Sequence, residues 1–277
     1  MPYADIDAGR LYYEQHGHGE PLVCIQGLAM DVSGWRPQIP VFARHHQVTV
    51  FDNRDVGRSF YASAPYDIPA LAADALALVD RLGLRRFHLL GSSMGGAIAQ
   101  ELALTHPQRV LSLTLCVTYG GNGRLGRERT RLALAGAEGQ TDAERAAALM
   151  VLTLSEQTFE EVGDQLGAMG EMVLSYPHRQ RREGYVRQLA ASASHEARDR
   201  LSGLRLPVHV IGAEQDAFVP VWKSHELARL IPGARLSVIA GAAHAVNLER
   251  SAEYNAVVLE FLAHAALQGT PATASGA

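Results

Sequence analysis

Two adjacent serines stand between glycines in the stretch HLLGSSMGGAIAQ, His88 to Gln100, and either could serve as a nucleophile. Serine is weak in that role. Its oxygen must be exposed on a sharp turn beside a base, with backbone N–H donors aimed at the oxyanion that develops. A strand-to-helix turn of this kind tolerates only small residues two positions before and two after the nucleophile. Around Ser93 those positions hold Gly91 and Gly95; around Ser92 they hold Leu90 and Met94. Sterics therefore select Ser93, with the Met94 amide as one oxyanion donor and Gly96 letting the following helix approach the sheet. A phosphate-binding reading of the same glycines fails on detail. No Lys-Ser/Thr pair follows for a P-loop, and GSSMGG lacks the second glycine of the dinucleotide fingerprint. A small-residue turn without chemistry is the other alternative, decided by whether Ser93 has partners elsewhere.

Those partners should follow in the order acid, then histidine, each on a loop after a later strand. After VHVIG comes AEQDAFVP with Asp216, and after RLSVIAG comes AAHAVNLE with His244. Glu214 shares the first loop and is the competing acid, nearer the strand end. The loop after LSLTLCVT reads YGGNG and contains no carboxylate. Of the 12 histidines, only His244 falls in a small-residue loop after the last strand; His45, His46, His88, His106, His209 and His225 sit in or beside strands and helices. His178 and His195 read as surface residues.

The elements that must position these side chains are legible as alternating patterns. YADIDAGRLYYEQ alternates polar and apolar residues around Ala8-Gly9, as two strands joined by a tight turn do. LVCIQG, QVTVFD, FHLLGS, LSLTLCVT, VHVIGAE and RLSVIA are continuous apolar runs, as expected of parallel strands buried on both faces. IPALAADALALVDRLG, from Ile68 to a stop at Gly83, and MGGAIAQELALTHP, ending before Pro107, carry the helical period. This alternation predicts an α/β fold: a doubly wound, mostly parallel sheet with an opening antiparallel pair. It lapses between Cys116 and Val208, where TDAERAAALMVLTL and EQTFEEVGDQLGAM are helical in period. The prediction is a helical cap, 122–200, inserted after the sixth strand between core segments 1–121 and 201–267. The small, polar tail 268–277 is expected to be disordered.

Composition narrows the partners. The net charge of −4 over 277 residues provides no basic footprint for nucleic acid. No signal peptide or membrane span is apparent, so a cytoplasmic protein is expected, with no membrane partner; nothing bears on oligomeric state. Cys24 and Cys116 each lie inside an apolar run and read as core packing. No His or Cys spacing suggests zinc, and no cofactor or metal is expected.

From about Tyr3 to His264 the chain resembles the α/β-hydrolase superfamily, specifically its small bacterial esterase-like members. The resemblance rests on IQGLAM, on DNRDVGRS, on the GSSMG elbow and on the Asp216 and His244 loops. It implies a Ser93–His244–Asp216 triad with the Leu28 and Met94 amides as oxyanion hole. Two departures stand out. Gln26-Gly27 replaces the usual His-Gly, leaving the Leu28 donor intact and giving Gln26 the bracing role. Asp55 occupies a position where the family often has glycine, within a turn whose Asp52, Asn53, Arg54, Gly57 and Ser59 read as structural. A serine nucleophile argues against the aspartate-dependent dehalogenases and epoxide hydrolases of this fold.

The expected function is therefore a serine hydrolase, a carboxylesterase, cleaving a small-molecule ester or lactone through an acyl-enzyme. An apolar pocket is expected under the cap, with Gln26, Gly27 and Trp35 as candidate lining. The arginines of HRQRREGYVR raise a second possibility, a carbon–carbon bond hydrolase or enol-lactonase acting on a carboxylate-bearing intermediate. Perhydrolysis of carboxylic acids by the same triad is a related activity. A ligand receptor with no or slow turnover on the same fold is the alternative from another class.

Overall fold

The computed structural model of the protein describes residues 2–137 and 139–269. Eight strands form one sheet: β1 (Tyr3–Ile6), β2 (Gly9–His16), β3 (Glu20–Ile25), β4 (His46–Phe51), β5 (Phe87–Ser92), β6 (Val110–Cys116), β7 (Val208–Ala213) and β8 (Arg235–Ile239). Their spatial order is β1-β2-β4-β3-β5-β6-β7-β8. β2 runs antiparallel to both β1 and β4, and all later neighbours are parallel. The opening pair, the parallel sheet and the helical insertion after β6 are thus those expected from the sequence.

Helices α1 (Ile39–Phe42), α2 (Ile68–Arg81) and α3 (Met94–Thr105) lie among the first six strands. α2 begins where Asp67 accepts a hydrogen bond from the Ala70 amide and ends before Gly83, whose φ of +70° is a conformation that favours glycine. Between β6 and β7 come α4 (Gly123–Ala137), α5 (Asp142–Thr153), α6 (Glu156–Glu161), α7 (Leu166–Ser175), α8 (Arg182–Ser194) and α9 (Arg198–Leu201). α10 (Trp222–Leu230), α11 (Val246–Glu249) and α12 (Ser251–Gly269) complete the chain. The rest of the predicted tail, 270–277, lies outside the described residues.

The sheet separates two apolar layers. On one side Leu71, Leu78, Ile98 and Leu102 from α2 and α3 pack on Val23, Leu89 and Leu113. On the other, Phe42, Tyr254, Val258 and Leu262 from α1 and α12 pack on Leu22, Val50 and Leu90. Cys24 and Cys116 are free and buried within this second layer.

Two expectations need correction. RLSVIA reads as a strand buried on both faces, but β8 is the last strand of the sheet and only Ile239 in it is fully buried, with Val238 exposed. Its apolar run reflects β propensity at an edge. His195 reads as a surface residue and is in fact buried, with Nε2 3.3 Å from Gln100 Oε1 and Nδ1 3.6 Å from Glu101 Oε1 of α3.

Candidate active site

Ser93 is the single residue between β5 and α3, and its backbone sits at φ 55°, ψ −121°. That conformation is strained for a residue with a side chain and persists only where surroundings over-determine it. Here they do. The Ser93 N–H donates to the Cys116 carbonyl at 2.9 Å, and its own carbonyl accepts from Gly96 N at 2.9 Å and from Thr118 Oγ1 at 2.6 Å. Glycine is required on both sides. A Cβ at Gly91 would lie 2.3 Å from the Gly95 carbonyl oxygen, and one at Gly95 would lie 2.1 Å from that of Ile25.

The loops after β7 and β8 carry Asp216 and His244 to this turn. His244 Nε2 stands 2.9 Å from Ser93 Oγ, and its Nδ1 stands 2.7 Å from Asp216 Oδ2. The other Asp216 oxygen accepts from the Phe218 and Val219 amides at 2.9 and 2.7 Å, which fixes the carboxylate. The edge of the Phe218 ring packs on the imidazole, centroids 4.9 Å apart. Glu214 is exposed and points elsewhere, accepting from the Gly241 amide at 2.9 Å. Among the described residues His244 accordingly has one carboxylate partner, Asp216.

Two N–H groups near Ser93 Oγ lack an acceptor among the described residues. Met94 is the first residue of α3, so its amide has no intrahelical partner. The Leu28 amide follows Gly27, where an added Cβ would lie 2.9 Å from Ser93 Cβ. Gln26 braces this turn: its Oε1 accepts from Gly27 N at 3.0 Å, and its carbonyl accepts from Asn53 Nδ2 at 3.2 Å. Gly34 packs against the same amide, where a Cβ would be 2.4 Å from Gln26 Nε2.

Ser93 and His244 open onto a cavity of about 440 Å³ that Gln26, Gly27 and Leu28 also line. Its walls are largely apolar, with Met30, Leu149, Met150 and Leu174 among them. Trp35 is not among the lining residues. It is fully buried in the layer with Phe42 and Tyr254, so its candidacy for the pocket gives way to core packing. His178, read as a surface residue, lines the cavity instead.

The DNRDVGRS turn supports this arrangement from below. Asp52 is buried and accepts from Val32 N and Arg58 N, both at 2.8 Å. Burial pushes its carboxyl up to about 6, with the nearby Asp31 charge adding to the effect. Arg54 forks onto Asp74, both bonds at 2.5 Å, and Ser59 Oγ donates to the Asp52 carbonyl at 2.6 Å. Asp55 has a role invisible in the sequence: fully buried at φ 68°, it accepts both Arg187 nitrogens of α8 at 2.7 and 2.8 Å. Gln188 of the same helix accepts from the Ala29 amide at 3.1 Å and donates to the Arg54 carbonyl at 2.9 Å.

Sequence reasoning also missed Glu249. One of its oxygens accepts from Ala243 N at 2.8 Å, beside His244, and the other from Ser155 N at 2.5 Å. The Ala245 amide reaches the Thr153 carbonyl at 2.8 Å. The segment between α5 and α6 is thereby tied to the histidine loop. No local spacing signals a bond across 94 positions.

Among the described residues, no three His, Cys, Asp or Glu side chains group as a metal site, and no helix is long and apolar enough to cross a membrane. Residues 20–251 match the family described as alpha/beta hydrolase fold. A protein of Azorhizobium caulinodans named as a carbamate hydrolase, RutD, is 32% identical over 265 residues, covering 94% of this chain and 98% of the relative. The enol-lactonase of Burkholderia xenovorans LB400 superposes with a TM-score of 0.84 at 28% identity, covering 95% of this chain and all of that one (100%). A thermophilic esterase of Thermogutta terrifontis, solved with malate bound, gives a TM-score of 0.84 at 25% identity over 95% of this chain and 98% of its own. With sheet order, elbow and matched length in agreement, this chain belongs to the alpha/beta hydrolase fold family.

Proposed function

We propose that the protein is a serine hydrolase of carboxylic esters and lactones, working through an acyl-enzyme. The observation that carries this reading is the unbroken hydrogen-bond chain Ser93–His244–Asp216 at a largely apolar cavity. His244 Nε2 takes the proton from Ser93 Oγ as that oxygen attacks the carbonyl carbon. Asp216 holds the imidazole through Nδ1 and stabilises the cation that forms. The Leu28 and Met94 amides donate to the tetrahedral oxyanion. His244 then returns the proton to the leaving alkoxide as the C–O bond breaks, giving alcohol and acyl-Ser93. In the second half a water loses its proton to His244 and attacks the acyl carbon; the acid leaves and Ser93 recovers its proton.

The likeness to an enol-lactonase and to an esterase crystallised with malate supports cyclic and carboxylate-bearing esters within this class. The helices between β6 and β7 act as a cap that selects among them, since Leu149, Met150 and Leu174 supply much of the apolar wall. A fluorophosphonate probe tests the reading directly. It should label the wild-type protein at Ser93 and leave Ser93→Ala unlabelled, with ester turnover lost in that variant. Absence of labelling in the wild type would instead favour a ligand receptor.

A further inference from the structure

We propose that Asp142, Arg145 and Arg179 form a subsite on the cavity wall for a free carboxylate of the substrate, remote from the carbonyl that Ser93 attacks. The inference deepens the ester and lactone hydrolase reading and rests on it. Arg145 lies one turn into α5, whose start is fixed by a capping box between Thr141 and Glu144. Its Nη2 donates to Asp142 Oδ1 at 2.7 Å, while its Nη1 is buried with no acceptor among the described residues. The residue as a whole is only 9% exposed, and its guanidinium sits 5.5 Å from the Tyr185 ring centroid. Arg179 Nε reaches the second Asp142 oxygen at 3.3 Å. One carboxylate therefore serves two guanidinium groups, and this wall keeps a surplus positive charge.

The remaining charges on the cavity do not cancel it. Asp31 accepts from the neutral Ser33 N at 2.8 Å, Ser33 Oγ at 2.5 Å and Tyr176 Oη at 2.5 Å, which leaves its negative charge to be offset by a cation. Arg36 adds a further cation to the lining. α5 adds Ala146, Leu149 and Met150 to the same lining, and a cation in excess beside such apolar side chains is unfavourable. A planar carboxylate accepting from guanidinium N–H groups on this wall offsets that charge. The substrate class is thus an ester or lactone with an apolar spacer ending in a carboxylate.

The test compares mono-4-nitrophenyl pimelate with its methyl-capped, neutral twin, scored as the ratio of their kcat/KM values so that any general loss of activity cancels. The wild type should favour the charged ester at least tenfold. Arg145→Gln should lower that ratio about tenfold, and Asp142→Asn, which frees both guanidiniums, should raise it. A wild-type ratio near one, an unchanged ratio in Arg145→Gln, or a fall in Asp142→Asn overturns the subsite. Should Arg145→Gln not fold, the wild-type and Asp142→Asn ratios decide, because misfolding does not raise a preference. Failure of the hydrolase reading looks different: no fluorophosphonate labelling and no turnover of either ester. Calorimetry with pimelate then decides the subsite alone, binding by wild type and weakened binding by Arg145→Gln supporting it, and no binding overturning it.

Discussion

A methyl group at Gly95 would sit 2.1 Å from the Ile25 carbonyl oxygen and 2.7 Å from that of Gln26, both backbone atoms that a side-chain rotation cannot move. Gly95→Ala is expected to lose about 3 kcal/mol of stability or more, at the upper end of overpacking costs, measured as a lowered urea midpoint. Gly27 is a different case. Its added Cβ would press on Ser93 itself, 2.9 Å from Cβ and 3.4 Å from Oγ, and lie 3.2 Å from the Ser92 carbonyl oxygen, so the elbow backbone must move to relieve the clash. Turnover should then fall along with stability, because misplacing a reacting atom by about 1 Å costs on the order of a hundredfold. Turnover of 4-nitrophenyl butyrate by Gly27→Ala at wild-type rate would contradict this. The elbow is legible in the sequence for the same reason that these glycines matter. Its requirement is local and steric, so spacing alone separates Ser93 from Ser92. The role of Gln26 is less so, because its amide is defined by Gly27, Gly34 and Asn53 together.

Between elements, Glu249 and Asp55 are among the carboxylates that join the helical insertion to the sheet's loops. Glu249 holds Ala243 and Ser155 amides with separate oxygens, so Glu249→Ala should free the histidine loop and the α5–α6 connection together. Two charge-assisted bonds at about 1.5–3 kcal/mol each are lost; kcat for an activated ester should drop about tenfold or more as His244 loses its fixed position. Glu249→Gln keeps one acceptor oxygen and should fall between the two. Hydrogen exchange at Ala243 and Ser155 checks the cause, since both amides should lose protection. Asp55→Gly sets two effects against each other. Glycine relieves a φ of 68°, of order 1 kcal/mol, but breaking the largely buried Asp55–Arg187 pair costs about 3–5 kcal/mol. The pair wins, so the variant should be less stable and α8 more open to limited proteolysis. Strands and the helical insertion are legible because apolar runs and the 3.6 period are written along the chain. These ties are not, since Asp55 and Arg187 are 132 positions apart. The edge position of β8 is equally hidden: its run is apolar, and only the absence of a further neighbour exposes it.

Across the whole molecule, buried histidines make stability depend on acid. Burial lowers His195 to about 4, against the opposing charge of Glu101, and lowers His209 to about 4 with help from Arg235. Burial also lowers His46 and His88, whose rings stand edge to face 5.6 Å apart. Each of these groups is neutral when folded and binds its proton more readily when unfolded. Their contribution is therefore complete above the unfolded value of 6.5 and is lost as pH falls through the folded values, toward 4 for His195 and His209. For those two the loss is up to about 3 kcal/mol each. Asp52 acts in the opposite sense: raised from 3.8 to about 6, it favours the folded state in acid and offsets at most about 3 kcal/mol as pH drops across that interval. Burial also raises Asp74, against its Arg54 partner, but two strongly shifted histidines and two lesser ones outweigh these two carboxyls, so the urea midpoint should fall steadily from pH 7.5 to pH 4.5. In His195→Gln/His209→Gln, where neither position can charge, the fall should be clearly smaller. An equal fall in the double variant would assign the acid lability elsewhere. The residue order places His88 and His209 in apolar strands but reads His195 as a surface residue, although it is buried. His195 acquires its low affinity for protons from burial against α3, a burial whose effect the Glu101 carboxylate only partly opposes.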